Sequence, residues 1–252
     1  MLFALPMRCF SLAPADPTMP FRFSFRPAMP LDAEQLAAFR RLAAGLDRID
    51  AEAYAAAGRD PLVPILGLGP VDAPLCFFGR DPGGDEVRHG QPFVGSSGQL
   101  LRAGLLRHLA PDRPYSFDEG LRVGADCFWI STVPYKPLHN KAWPPAVRQR
   151  FQPLIRQILS AQWRGGDVIT LGNEAFEWFS IGLAGDELAA VREFWRREDK
   201  YESSVAVTLR AGGRERVLRL HPLPHPSPAN ARWRPHFPRL LQARLDALLP
   251  PA

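Results

Sequence analysis

The chain has 252 residues, of which 46% are hydrophobic and 23% charged, enough for one packed core plus an arm, or at most two small domains. No apolar run approaches the ~18 residues of a membrane span, and three cysteines without C-x-x-C spacing cannot complete a four-cysteine zinc or iron–sulfur site. The net charge of +5 is uneven: 14 Lys+Arg face 15 Asp+Glu in residues 1–140, and 17 face 11 in residues 141–252.

Residues 1–30 are rich in Pro and Phe and lack periodicity, which predicts a loosely attached arm. The first seven residues lack a basic region and are interrupted by Pro6, so no signal peptide is expected, and Met19 and Met29 are alternative starts. With the cysteine usage, this points to a reduced, metal-free, cytoplasmic protein. A helix opens at Leu31 with Asp32 as N-cap. Leu36, Phe39, Leu42, Leu46 and Ile49 lie at helical spacing, and Gly58 to Pro64 closes it.

The segment Leu75-Cys76-Phe77-Phe78-Gly79-Arg80-Asp81-Pro82-Gly83 reads as a buried strand running into a tight turn. It carries Asp81 to the carboxyl end of a sheet, where open α/β proteins bind their ligands. Asp81 and Pro82 could equally serve as turn residues; the pairing with His225-Pro226-Ser227-Pro228 far down the chain argues for chemistry. No G-x-G-x-x-G or Walker lysine is present, which disfavours a nucleotide cofactor.

A Gly-rich loop, Gly90 to Gln99, precedes a helix over Gln99 to His108. Phe93 in that loop has two readings, an aromatic platform for a ligand or a hydrophobic staple. Asp126 to Ser131 is a second buried strand, followed by a loop, Thr132 to Pro145, in which Tyr135, Lys136, His139, Asn140, Lys141 and Trp143 interleave. Basic and aromatic residues alternating on a loop suit a nucleic-acid strand. Further helices are predicted from Pro144, over Ala175 to Leu183, over Asp186 to Asp199 and over His236 to Leu249, with a third strand at Asp167 to Gly172. Val205 to Leu209 and Arg216 to Leu220 form a hairpin around Gly212-Gly213. Between Ser203 and Leu240 seven Arg face the single Glu215, the footprint of a polyanion binder, although genomic composition also raises Arg content. Strands alternating with helices predict an α/β fold with a mainly parallel sheet.

Four of these stretches, Gly79-Arg80-Asp81-Pro82-Gly83, Gln91-Pro92-Phe93-Val94-Gly95, Ile130 to Asn140 and His225-Pro226-Ser227-Pro228, together resemble the uracil-DNA glycosylase superfamily in order and spacing, over roughly Pro61 to Leu249. The resemblance implies a three-layer α/β/α sandwich that flips a damaged base out of DNA and hydrolyses its N-glycosidic bond, a step of base excision repair. It makes Asp81 the water-activating carboxylate, as in family 1 enzymes, and His225 the donor to the leaving base, a role that needs no charge. Phe93 becomes the ring stacked on the flipped base, as in family 4, and Gly79, Arg80, Pro82 and Gly83 join the substrate pocket. Ser227 grips backbone phosphates, and Asn230 and Arg232 lie in the loop that wedges into the helix. With Lys136 and Lys141 they form the expected DNA contacts. The implied partner is DNA bearing a deaminated base, met by a monomer at the nucleoid without cofactor or membrane.

Three departures bear on substrate. Family 4 members hold an iron–sulfur cluster on four cysteines, which three cannot supply. The base-reading Asn of the family falls on Thr132, or on Ser131 in the adjacent register, with Asn140 as a replacement reader. Gly83 stands where family 1 enzymes carry the Tyr that excludes the thymine methyl. A catalytically inert damaged-DNA binder of the same fold is therefore the competing expectation.

Overall fold

A computed structural model of the protein describes residues 30–249; the arm expected over 1–30 lies almost wholly outside them. The described chain runs α1 (Ala33–Ala44), α2 (Ala51–Ala56), β1 (Leu75–Gly79), α3 (Gly84–His89), α4 (Ser96–Leu109), α5 (Phe117–Val123), β2 (Phe128–Ser131), α6 (Pro145–Gln157), β3 (Asp167–Leu171), α7 (Asn173–Trp178), α8 (Gly185–Arg196), β4 (Val205–Ala211), β5 (Arg214–Leu223) and α9 (Phe237–Leu248). The sheet order is β2-β1-β3-β5-β4. β1, β2, β3 and β5 are mutually parallel, and β4 pairs antiparallel with β5 through the expected Gly212-Gly213 hairpin.

Strand alternation builds the three layers. Cys76 and Phe78 of β1, Phe128 and Ile130 of β2, Val168 of β3 and Leu218 and Leu220 of β5 point to one face. There they meet Phe39 of α1, Phe151 and Ile155 of α6, Phe176 and Trp178 of α7 and Val191 and Phe194 of α8. Leu75, Phe77, Trp129, Ile169, Leu171 and Leu223 point to the other, against Leu101 and Leu105 of α4 and Phe237, Leu241 and Leu245 of α9. Because successive side chains alternate across a strand, near-continuous apolar runs such as Leu75–Phe78 can satisfy both layers at once. Each fully buried Phe or Leu contributes about 1.5–3 kcal/mol.

Local chemistry sets most boundaries. Asp32 caps α1 reciprocally: its Oδ1 accepts from the Gln35 backbone N–H at 2.7 Å, and Gln35 Oε1 accepts from the Asp32 N–H at 3.2 Å. The expected single helix from Leu31 to about Gly58 is in fact two. α1 ends at Gly45, and α2 restarts behind Asp50, whose carboxylate accepts from the Ala53 N–H. A fresh N-cap five residues after a glycine stop outweighs the periodic Leu46 and Ile49. Two short helices, α3 and α5, carry too few apolar positions for periodicity to reveal. α4 starts three residues earlier than predicted, at Ser96.

Candidate active site

The parallel strands bring their carboxyl ends to one edge, and a cleft of about 300 Å³ opens there. It is walled by the turn after β1, the loop before α4, the end of β2, Leu171 at the end of β3 and the segment after β5. Residues separated by well over a hundred positions thus meet because parallel strands share a polarity.

Asp81 is delivered by the turn as expected. Its side chain is only 2% exposed, its Oδ2 accepts from Arg80 Nε at 3.2 Å, and its buried Oδ1 has no partner among the described residues. Burial pushes the carboxyl up to about 7, against the lowering pull of the Arg80 guanidinium; Glu174 pushes upward and Arg148 downward more weakly. Such a group sits between acid and base at neutral pH, where proton transfer is most useful.

His225 reaches the cleft from the loop after β5. Its Nδ1 accepts from the Ser227 backbone N–H at 3.2 Å, which assigns the proton to Nε2. Desolvation lowers the imidazole to about 4, with the positive Arg80 acting in the same direction. At neutral pH the ring is therefore an uncharged donor. Asn230 Nδ2 donates to the His225 carbonyl at 3.0 Å, and Ser227 Oγ accepts from the Ala229 N–H at 3.2 Å, so both brace the His225 loop. Ser227 also lines the cleft, and Arg232 is exposed beyond it, its guanidinium 5.4 Å from the Trp233 ring.

Phe93 holds a left-handed backbone (φ +56), and its ring lies 5.3 Å from Trp129 and against Gly79. A Cβ on Gly79 would come within 2.6 Å of that ring, and one on Gly98 within 2.0 Å of the Phe93 carbonyl carbon. The two glycines are thus the seats of the ring and of its backbone. Phe93 is partly buried against the Trp129 layer and also lines the cleft.

Two residues that the sequence reading passed over hold this wall. Glu86 accepts from the N–H groups of Gly83 (3.0 Å), Val94 (2.9 Å) and Gly95 (2.8 Å), which ties the Asp81 turn to the Phe93 loop. Its signal was an acid three residues past Gly83, the capping-box position. Arg102 is buried and donates to the carbonyls of Phe93 (2.8 Å), Pro92 (3.2 Å) and Gly120 (3.0 Å), with its guanidinium 4.3 Å from Trp129. An arginine inside the apolar face of α4, next to Leu101 and Leu105, was its signature.

The loop after β2 corrects several expectations. Thr132 is fully buried, donates its hydroxyl to the Arg80 carbonyl at 2.5 Å, and does not face the cleft. Ser131 does, since it shares the strand face of Trp129. Lys136 is not a DNA contact: it is buried, and its ammonium donates to Asp50 Oδ2 at 2.6 Å and to the Pro137 carbonyl at 3.2 Å. Tyr135 and Trp143 are core residues, so the basic and aromatic alternation there is mostly turned inward. His139, Asn140 and Lys141 stay exposed. Asn140 lines the cleft, and both it and His139 adopt left-handed backbone (φ +54 and +55). Its carbonyl accepts from Arg80 Nη2 at 3.2 Å. Pro82 and Gly83 line the cleft beside Arg80. Lys141 is not among its lining residues.

Among the described residues no cluster of three or more His, Cys, Asp or Glu could hold a metal ion. Cys76 and Cys127 are buried on opposite faces of the sheet, and burial raises both thiols. They do not fit an iron–sulfur cluster.

Asp81, an uncharged His225 and the Phe93 ring thus share one cleft. The family model described as the Uracil DNA glycosylase superfamily matches residues 66–249, and the chain belongs to that superfamily, whose members are DNA glycosylases. A comparison with curated proteins finds no match. No helix among the described residues is long and apolar enough to cross a membrane.

Proposed function

We propose that this protein is a monofunctional DNA glycosylase that hydrolyses the N-glycosidic bond of uracil, or of another deaminated base, in DNA. The observation that carries the reading is the free, buried Oδ1 of Asp81 in the same cleft as a neutral His225. As the base departs, positive charge develops on the sugar and negative charge on the base. Ionised Asp81 stabilises the first and takes a proton from the water that attacks C1′. The Nε2–H of His225 donates to the second, and the released base anion is protonated by solvent. Phe93 supplies the stacking face for the extruded base.

The pocket favours a relaxed substrate range. Ser131 offers a single hydroxyl where a base-reading amide would offer paired donor and acceptor, and Gly83 leaves the methyl-excluding position empty of side chain. Losing a bidentate edge reader forfeits about 1–3 kcal/mol of discrimination. Uracil in G·U pairs or single strands, where flipping costs least, is the preferred substrate over A·U, with hypoxanthine or xanthine next and Asn140 as the remaining amide at the rim. The protein acts as a monomer in the cytoplasm, at the nucleoid.

The Ser131 hydroxyl also favours a second reading, a damaged-DNA binder that does not cut. A labelled uracil oligonucleotide treated with protein and then alkali separates the two: strand scission supports the glycosylase, and intact strand with retained binding supports the binder. Borohydride trapping of a covalent adduct would instead indicate a lysine Schiff base and remove the water mechanism.

A further inference from the structure

A second depression, of about 450 Å³, lies between α7, α8 and the start of α6. Trp195 walls it, its indole stacked on Phe176 at 4.5 Å and 19°. Arg148, Arg192 and Arg196 line it, with Glu177 as the one acid, and Glu177 is engaged by Asn173 Nδ2 at 2.9 Å. Arg192 and Arg196 stand exposed one turn apart on α8, and neither has a carboxylate partner among the described residues. The buried Nε of Arg148 likewise has no acceptor among them.

This depression is tied to the active-site cleft through a single residue, Glu174. Arg148 Nη1 donates to the Glu174 carbonyl at 3.3 Å, and Arg80 Nη1 lies 4.0 Å from Glu174 Oε1, so Glu174 links a wall residue of each. On its other side Trp195 meets Tyr201 at 6.2 Å, with Lys200 Nζ 5.3 Å from the indole. A cationic groove with an aromatic wall, linked through Glu174 to the cleft proposed to receive a flipped nucleotide, has the composition of a single-strand path. Nothing in the chemistry proposed for Asp81 and His225 uses it.

We infer that the Trp195 cleft is a second nucleic-acid subsite, which takes a nucleotide of the strand flanking the flipped one, its base against the indole and its phosphates between the arginines. The inference rests on the glycosylase reading for the identity of the strand. It implies that DNA affinity gains from chain length on one side of the uracil, whereas the chemical step does not.

The test uses single-stranded oligonucleotides with a non-hydrolysable 2′-fluorinated deoxyuridine, about 5 nucleotides long or extended to about 15 on the 5′ or the 3′ side. Binding is read by anisotropy over a series of salt concentrations, for the wild type and for Arg192→Ala/Arg196→Ala. The expected result is that the slope of log K against log salt falls by about 1.4, two phosphates at about 0.7 each, for one extended oligonucleotide and not for the short one. Trp195→Leu should weaken the same complex about 5-fold or more, while the arginine variant keeps the wild-type single-turnover rate at saturation on cleavable DNA. An unchanged slope with both extended oligonucleotides, or an equal fall with the short one, overturns the subsite. Failure of the glycosylase reading shows separately, as no base release by the wild type from any uracil oligonucleotide.

Discussion

Two walls of the cleft were built by different means. The wall formed by the β1 turn and the Phe93 loop is made of local turn chemistry: Gly79 and Gly98 stand where the Phe93 ring and backbone come too close for a side chain, Pro82 and Gly83 follow Asp81 in the turn, and Asp81 and Phe93 face the cleft. The wall formed by the chain after β2 is made by packing. There Thr132, Tyr135, Lys136 and Trp143 turn inward, and Ser131 and Asn140 reach the cleft. A glycine or proline constrains its own backbone wherever it stands, whereas the direction of a Lys or Tyr depends on which distant residue waits for it. Lys136 is the clearest case, because its partner is Asp50 on the far side of β1 in sequence.

The sharpest way to break the comparison is to remove the chemistry from the first wall. Asp81→Asn should lower the single-turnover rate by ~10² or more with DNA binding retained, since its terms act in the transition state. His225→Ala, which removes one donor to the departing base, should cost about 10- to 10²-fold in the same assay. Were Asp81→Asn to cleave at the wild-type rate, the first wall would be no more than a turn, and a wild-type rate for His225→Ala would remove the donor from the segment after β5.

Gly98→Ala asks whether the seat of the Phe93 loop matters as geometry. The added methyl meets the Phe93 backbone at 2.0 Å, so the loop must move. We expect a loss of stability of about 1–3 kcal/mol by thermal or urea unfolding, and slower cleavage at temperatures where the variant is folded. Full stability would mean that the loop has another position open to it.

The second wall separates by a pair of lysines. Lys136→Ala should lower the unfolding midpoint, because it leaves Asp50 without its cation, and leave the salt dependence of DNA binding unchanged. Lys141→Ala should do the opposite, with stability within about 0.5 kcal/mol of wild type and a salt slope reduced by about 0.7–0.9. A reversal of these outcomes would return Lys136 to the DNA surface.

The same contrast explains what could be read from sequence. The sheet, its mainly parallel order and the hairpin were legible because buried strands and Gly-Gly turns announce themselves. Asp81, Phe93 and His225 were legible because each sits in a short stretch dense in Gly or Pro. The choice between Ser131 and Thr132 was not, since it turns on the parity of one strand relative to Trp129. Glu86 and Arg102 were missed for a related reason: each carries a local signal, but their loop partners are backbone atoms that no side-chain pattern names.

The central claim is that an ionised Asp81 works beside an uncharged His225, and its most direct test is the pH dependence of the single-turnover rate on single-stranded uracil DNA. Asp81 is active when deprotonated and is pushed up to about 7, whereas His225 is already neutral above about 4. The rate should therefore rise about tenfold per pH unit below about 7 and level off above it, with no falling limb assignable to a histidine. A rate that is highest near pH 5 and declines as pH rises through 7 would mean that a protonated group drives the reaction, and would contradict the account.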